Sequence, residues 1–316
     1  MAVYNAILLA GDRRGAKSVF GKNKALLEIK GIPSFIRVLA ALQNVESVGE
    51  IRIVGPKEDI NSLLKKHSKA CQGSKTVKVV QQKDNIIDNV WVGFLNTLPG
   101  YKAETEVSPE QKEIAVLVVA GDIPMLIPDE INEFISNCDL SLFDYYVGVV
   151  SEKTLSHFKR GKGRKRIRLA VLPFKENKYR VNNLHLIKPF KIANRYRLQV
   201  MYELRYQRRF HNVWKMLIKL VQLKGFKDAA FFYILIQAAL FFQKVGFVEV
   251  SGKISSLLTL SKLTGIVDRI LGTSIYVAET TYGGAALDID NKTDFNIINE
   301  KFEEWMKYQK GRGLQQ

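Results

Sequence analysis

A glycine-containing loop near the start of the sequence has the residue types that bind an anion. It consists of Leu9, Ala10, Gly11, Asp12, Arg13, Arg14, Gly15, Ala16 and Lys17, and Lys24 follows it. Glycines let backbone N–H groups approach an anion closely, and the arginines and lysines supply positive charge. These features suit a triphosphate, whose departing pyrophosphate must be stabilised as its charge develops. The spacing fits neither the P-loop nor the dinucleotide-binding motif, and a basic surface turn is the alternative interpretation.

Aspartates occupy two further segments that could bind a metal ion. Asp122 follows the apolar residues 114–120 and Gly121, so a buried strand would hold its carboxylate rigidly. Mg²⁺ prefers one or two carboxylates together with phosphate and water oxygens. Asp288 and Asp290 are separated by one residue, and in a strand they would point to the same face. Both segments could therefore supply carboxylates to a Mg²⁺ site. Turn or capping roles are the alternative.

The elements that would position these residues alternate between strand and helix over the first 150 residues. Strands are predicted over residues 3–10, 50–54, 75–81, 114–120 and 145–150, and helices over 33–44, 59–67, 86–98 and 128–137. This order predicts βαβ units in a Rossmann-like, three-layer α/β/α fold with a mostly parallel sheet. Ligands of such sheets bind at the carboxyl ends of the strands, where the first loop and Asp122 would both lie.

The pattern changes after about residue 151. Residues 167–172 and 179–186 could form a hairpin, and residues 197–245 predict long, aromatic-rich helices. A short strand is predicted over 283–290 and a closing helix over 293–309. We therefore predict a nucleotide-binding α/β core over 1–150 and an acceptor-side region with a helical insertion over 151–280. Residues 281–316 would return to the core with the metal-binding aspartates.

Taken together, the motifs resemble the signature of the sugar-phosphate nucleotidyltransferases, especially the branch similar to molybdenum-cofactor guanylyltransferase. That signature has leucine-alanine-glycine-glycine, a variable basic loop, and a lysine followed by alanine-leucine-leucine. Here Asp12 replaces the second glycine and Asn23 precedes Lys24. The segment around Asp122 resembles the family's glycine-aspartate-x-proline motif. The segment that begins at Asp288 resembles its C-terminal aspartate motif without the threonine-proline pair.

The resemblance implies a GT-A-like nucleotidyltransferase fold and a reaction. A nucleoside monophosphate would pass from GTP or CTP to a phosphorylated acceptor, such as a sugar phosphate, a phospho-alcohol or a lipid headgroup, with Mg²⁺ as cofactor and pyrophosphate as product. Arg14, Lys24 and Asp122 would be catalytic, and Asn183 would contact the acceptor. The nucleotide contacts would come from Leu9, Ala10, Gly11, Asp12, Arg13, Gly15, Lys17, Gln81 and Asn89, and the metal ligands would be Asp122, Asp290 and Asp288.

The net charge of +17 and its distribution suggest anionic partners. A dense basic run over 159–168 precedes an apolar, lysine-containing segment over 214–242. Peripheral contact with an anionic membrane or a homodimer interface would explain both features, and packing of the inserted helices on their own core is the alternative. The sequence has two cysteines, no signal-peptide pattern and no apolar run of membrane-spanning length. We expect a cytoplasmic location, or a peripheral one at the inner face of the membrane.

Two other functions compete with nucleotidyl transfer. A glycosyltransferase with a nucleotide-sugar donor would share the α/β fold, but such enzymes usually lack the basic N-terminal loop. A basic nucleic-acid-binding protein would share the charge, but the sequence contains no recognised nucleic-acid module, so we expect no specific nucleic-acid partner. Release of pyrophosphate would distinguish the proposed reaction from both.

Overall fold

A mostly parallel sheet of eight strands forms the centre of the fold. The computed structural model describes residues 2–12, 18–98, 100, 106–158, 167, 169–199 and 226–313. Its strands are β1 (Tyr4–Leu9), β2 (Glu28–Ile29), β3 (Ile32–Pro33), β4 (Val48–Gly55), β5 (Val77–Gln81), β6 (Val116–Ala120), β7 (Tyr145–Ser151), β8 (Leu172–Pro173), β9 (Lys178–Ile187) and β10 (Ile275–Thr280). The short strands β2 and β3 form a separate antiparallel pair.

The order of the sheet is β10-β7-β9-β6-β1-β4-β5, with β8 beside β9. Leu9 at the end of β1 lies opposite Val54 on β4 and Ala120 on β6, so three carboxyl ends are level. Strand β9 runs antiparallel to both β6 and β7. Because of this reversal, the beginning of β9 lies at the same edge of the sheet as the carboxyl ends of β6 and β7.

Helices connect the strands and cover both faces of the sheet, as the α/β prediction requires. They are α1 (Ser34–Gln43), α2 (Lys57–Lys66), α3 (Ile86–Leu95), α4 (Pro109–Lys112), α5 (Pro128–Ser136), α6 (Glu152–Leu155), α7 (Phe226–Lys244), α8 (Val248–Ser255), α9 (Leu260–Leu271) and α10 (Lys292–Gly313). In β1, Leu8 packs with one apolar cluster against α1 and α5, whereas Ile7 packs with a second cluster against α3, α7 and α9. The fold is thus the Rossmann-like α/β fold that the sequence predicts.

The closing helix α10 packs over a third apolar cluster that includes Trp305, Met125 and Leu287. Gln309 of α10 is buried and donates a hydrogen bond of 3.0 Å to the carbonyl oxygen of Met125. The predicted closing helix is therefore confirmed, and it fixes the segment that follows Asp122.

The C-terminal half contains the predicted helical insertion. Helix α7 confirms the predicted helix over the described part of residues 197–245, and α8 and α9 follow it. Residues 200–225 and most of the basic run over 159–168 lie outside the described residues. No helix within the described ranges combines the length and apolar character needed to cross a bilayer.

Sequence analysis misses one strand of this half and predicts another that the structure does not have. The edge strand β10 was not predicted, because its buried residues Ile275, Ala278 and Thr280 do not alternate regularly with exposed ones. The strand predicted over 283–290 is wrong: Gly284–Ala286 form a 3₁₀ turn, and residues 287–290 have no regular secondary structure. Gly284 lies so close to the loop after Asp122 that an added Cβ atom would be 2.2 Å from the carbonyl oxygen of Met125.

Candidate active site

Three loops meet at the carboxyl edge formed by β1, β4 and β6. The backbone N–H of Gly121 donates to the carbonyl oxygen of Leu9 at 2.7 Å, which joins the loop after β6 to the end of β1. The N–H of Ile289 donates to the carbonyl oxygen of Asp122 at 3.0 Å. Segments far apart in sequence are therefore held side by side, and Asp122 lies beside the segment that contains Asp288 and Asp290.

Lys24 and Asp290 form an ion pair at this edge. The distance from Lys24 Nζ to Asp290 Oδ1 is 2.6 Å, and both side chains are partly buried. Asn23 fixes the turn that carries the lysine: its amide donates to the carbonyl oxygen of Ala10 at 2.8 Å, and its side-chain oxygen accepts from the N–H of Ala25 at 3.0 Å. The departure from the family pattern at Asn23 thus ties Lys24 to the first loop.

The charges of this group are strongly coupled. Burial raises the pKa of Asp122 well above its usual range, and the negative charge of Asp288 adds to the rise while Lys24 opposes it. Burial disfavours the ammonium of Lys24, but the carboxylates, Asp122 foremost, outweigh this effect and raise its pKa. Burial, together with Asp290 and Asp288, raises the pKa of nearby Asp294 to about 6. Negative charge is therefore concentrated here, and Lys24 offsets part of it.

Asp288 has a different ion-pair partner from Asp290, and the prediction that both lie in one strand is wrong because residues 287–290 form no strand. Its carboxylate accepts a hydrogen bond of 2.6 Å from Arg180, and both side chains are about nine-tenths buried. Arg180 also donates to the carbonyl oxygen of Ala286 at 3.0 Å. Sequence analysis missed Arg180. It reaches the site because it lies at the beginning of the antiparallel strand β9, opposite Val150 at the end of β7.

The other side of the site surrounds Gly11. A Cβ atom at this position would lie 2.7 Å from Gln82 Oε1 and 3.3 Å from Asn89 Nδ2, so a larger residue would displace these amides from their present positions. The backbone N–H of Asp12 donates to Gln82 Oε1 at 2.9 Å, and the side-chain amide of Gln82 donates to the Asp12 carboxylate. The structure thus places Asn89 beside the first loop, as well as Gln82, which the sequence analysis did not select.

The remaining predicted site residues have other positions. Gln81 accepts a hydrogen bond from the N–H of Lys57 at 3.1 Å, at the start of α2. Asn183 donates to the carbonyl oxygen of Ala285 at 2.9 Å, next to the aspartate segment. Arg13, Arg14, Gly15 and Lys17 lie outside the described residues.

The donor set can be compared with the preferences of a divalent ion. Over the described ranges, no group of three or more His, Cys, Asp or Glu side chains is arranged to hold a metal ion. Mg²⁺ does not need such a cage, because it takes one or two carboxylates and completes its shell with phosphate and water oxygens. Asp122 and Asp290 fit that requirement in number and chemistry.

Comparison with known sequences gives one family. The sequence profile of the family described as "MobA-like NTP transferase domain" matches residues 6–209, about two-thirds of the chain. This range includes the first loop, Asp122 and strand β9. No curated protein has a significantly similar sequence.

Solved structures are similar to this chain at low sequence identity. A hypothetical transferase from Thermus thermophilus is similar with a TM-score of 0.58 and 18% identity, and the match covers 93% of this chain and 99% of that one. A 4-diphosphocytidyl-2C-methyl-D-erythritol synthase from Anaerococcus prevotii has a TM-score of 0.45 and 14% identity, with 96% of each chain covered. The CMP:2-keto-3-deoxy-manno-octonic acid synthetase complexed with CTP has a TM-score of 0.48 and 10% identity, over 95% and 99% of the two chains. At these identities the likeness shows the fold alone.

Proposed function

Because the chain belongs to the family of MobA-like NTP transferases and is a nucleotidyltransferase, we propose that it transfers a nucleoside monophosphate from an NTP to a phosphorylated acceptor. Pyrophosphate would be the second product. One observation carries this proposal: Lys24 and the carboxylates of Asp122, Asp288 and Asp290 converge beside the first loop. A phosphate-binding loop next to a cation and clustered carboxylates suits phosphoryl chemistry, in which positioning and charge stabilisation supply most of the rate.

Different residues of this chain would bind the phosphates and the metal ion. Lys24 would stabilise negative charge on the phosphates, and Asp122 and Asp290 would hold Mg²⁺. A bound Mg²⁺ supplies Lewis-acid stabilisation of charge on phosphate oxygens. The first loop would position the triphosphate through its backbone N–H groups, and its residues Arg13 and Arg14 would add positive charge. An acceptor phosphate is already anionic, so no general base is needed to activate it.

The nucleotide and the acceptor are the finer part of the proposal. We propose GTP or CTP as the nucleotide, and we place its base near Gln82 and Asn89, because their amides lie beside Gly11. Side-chain amides can donate and accept hydrogen bonds at the edge of a base. We propose a sugar phosphate, a phospho-alcohol or a lipid headgroup as the acceptor, on the side of Asn183.

The test begins with a thermal-shift screen of the four NTPs, each with and without Mg²⁺. We expect one or two nucleotides to stabilise the protein, and only when the ion is present. Pyrophosphate release is then measured with that nucleotide over a panel of phosphorylated acceptors. Asp122→Ala should abolish turnover while the circular dichroism spectrum is retained. Turnover at the wild-type rate in this variant would refute the metal role. A nucleotide-sugar donor consumed without pyrophosphate release would instead favour a glycosyltransferase.

We also propose peripheral contact with an anionic membrane through the tip of the α7–α8 hairpin. Exposed apolar side chains cluster there, namely Phe241, Val245, Phe247, Val248 and Val250. Over residues 241–253, Lys244 and Lys253 outnumber Glu249, and the chain as a whole is basic. An apolar tip with flanking lysines suits the interface of an anionic bilayer.

Flotation with vesicles of phosphatidylglycerol and phosphatidylcholine tests this contact. We expect binding that the double variant Phe241→Ser/Phe247→Ser abolishes. A matched control, Leu142→Ser, also changes an exposed apolar residue, but one outside the insertion, and should bind as the wild type does. Absence of wild-type binding would refute the membrane contact. A dimer in solution that the double variant dissociates would assign the tip to a homodimer interface.

A further inference from the structure

The segment that carries Asp288 and Asp290 depends on external contacts for its conformation. Apart from the 3₁₀ turn Gly284–Ala286, residues 281–290 have no regular secondary structure. Backbone polar groups of a buried segment must find hydrogen-bond partners elsewhere. The partners of this segment therefore determine where the two aspartates are placed.

Glu130 on α5 supplies several of these partners. Its side chain is fully buried. One carboxylate oxygen accepts from the N–H of Ala285 at 2.9 Å, and the other accepts from the hydroxyl of Thr280 at 3.3 Å. In the part of the chain that the structure describes, Glu130 forms no ion pair with Lys, Arg or His. A buried carboxyl group with no cation beside it has to be satisfied by hydrogen bonds, and Glu130 forms these with Ala285 and Thr280.

The same helix contacts the segment a second time. Glu133 lies one helical turn after Glu130, on the same side of α5, and its carboxylate accepts from the N–H of Thr281 at 2.9 Å. Glu133 is only partly buried and contacts the beginning of the segment. Glu130 contacts Ala285, which lies within the turn that leads into Asp288.

Ala285 is held from two directions. Its N–H donates to Glu130, and its carbonyl oxygen accepts from Asn183 on β9. Arg180, also on β9, contacts the next carbonyl oxygen and then Asp288 itself. Hydrogen bonds from α5 on one side and from β9 on the other therefore hold the segment in place. Helix α5 also follows directly from the loop that contains Asp122, so Glu130 links the two aspartate-bearing segments.

We infer that Glu130 is a positioning residue, which fixes the 284–290 segment so that Asp290 and Asp122 lie at the distance needed to share one divalent cation. This inference rests on the proposed metal site. Glu130 does not touch that site; it acts through the backbone of Ala285. Residues that orient metal ligands typically contribute 10- to 100-fold to metal affinity.

The test compares Glu130→Leu with Glu133→Leu as a matched control on the same helix face. Leucine is similar in size to glutamate but accepts no hydrogen bond, so it removes the contact to Ala285 whether Glu130 is protonated or not. Binding of Mn²⁺ alone is measured by electron paramagnetic resonance, and Asp122→Asn marks the loss of the site. We expect Glu130→Leu to weaken Mn²⁺ binding roughly tenfold, the lower end of that range. Glu133→Leu should change it less than roughly twofold. Equal Mn²⁺ affinity in Glu130→Leu and wild type, or an equal loss in both leucine variants, would overturn the inference.

Hydrogen–deuterium exchange gives a readout that does not depend on the metal. Amides in the peptide over 282–291 should exchange faster in Glu130→Leu, while amides of β1 and β6 keep their protection. If this exchange is unchanged, Glu130 does not position the segment. If wild type fails to bind Mn²⁺ but exchange in Glu130→Leu rises, the proposed metal site fails and the positioning of the segment by Glu130 stands.

Discussion

The buried carboxyl of Glu130 should make the stability of the protein depend on pH in a defined direction. Burial raises the pKa of Glu130 to about 8 from the usual 4.5, and Glu133 adds to the rise while hydrogen bonds from Ala285, Thr280 and Gly284 oppose it. The folded protein therefore binds this proton more tightly than the unfolded chain does. The contribution to stability is complete below pH 4.5, and it is lost as pH rises toward 8, because the unfolded chain releases the proton first.

The size of the effect follows from the shift. Over this pH window the folded state holds one more proton than the unfolded state. The free energy of unfolding should then fall by about 1.4 kcal/mol per pH unit, or on the order of 4–5 kcal/mol across the window. Glu130→Gln cannot titrate, so the variant should lack this component. Its stability relative to the wild type should therefore improve as the pH is raised from 5 to 8.

Urea unfolding at pH 5, 6, 7 and 8 provides the measurement. The free energy of unfolding is determined for the wild type and Glu130→Gln under identical conditions. Taking the difference between them removes the contributions of titrating groups that do not interact with Glu130. The difference should fall steadily with pH. A flat difference for Glu130→Gln, or one that grows with pH, would refute the assignment of a protonated, buried carboxyl.

Three further predictions concern the contacts that hold residues 284–290 and the candidate site itself. Arg180→Met should lower the free energy of unfolding by about 3–5 kcal/mol, because it leaves Asp288 buried without its cation; urea unfolding measures this, and full stability in the variant would contradict it. Lys24→Gln should reduce kcat for pyrophosphate release by roughly 100- to 1,000-fold with little change in the melting temperature, and an unchanged kcat would exclude the charge role. Gly284→Ala should destabilise the protein, because the added Cβ would lie 2.2 Å from a backbone carbonyl oxygen. Gly252→Ala should instead stabilise the protein by about 0.5–1 kcal/mol, because Gly252 lies in a helix and no atom is within 4 Å of the added Cβ.

The N-terminal half of the fold could be predicted because its signals are local. Each strand is a short apolar run and each helix repeats apolar residues at helical spacing, so the parallel sheet follows from their order. The neighbouring carboxyl ends at Leu9 and Ala120 follow from the same pattern, since parallel strands end at one edge. Asp122 was found in this way, although its proximity to Asp290 depends on contacts that the local pattern does not contain.

Glu130 illustrates a signal that was present but not used. It occurs one helical turn before Phe134, which is buried in the core, so helical spacing alone places a carboxyl on an apolar face. A charged residue at such a position is seldom left without hydrogen-bond donors. The sequence could therefore indicate that Glu130 has a buried partner. It could not indicate which one, because Ala285 is 155 residues away and offers only its backbone.

Arg180 shows the stronger limit, because its position at the site depends on the direction of a strand. Had β9 run parallel to its neighbours, its beginning would lie at the amino edge of the sheet, and Arg180 could not reach Asp288. The antiparallel direction puts Arg180 opposite Val150 at the end of β7 and Asn183 beside the turn at Ala285. Strand direction within the sheet depends on how the chain returns to it after the preceding elements, and apolar periodicity does not contain this information. Because β9 is antiparallel, its first residues contact and orient the segment that contains Asp288, although they are far from it in sequence. Asn183, which is predicted to contact the acceptor, also contacts this segment.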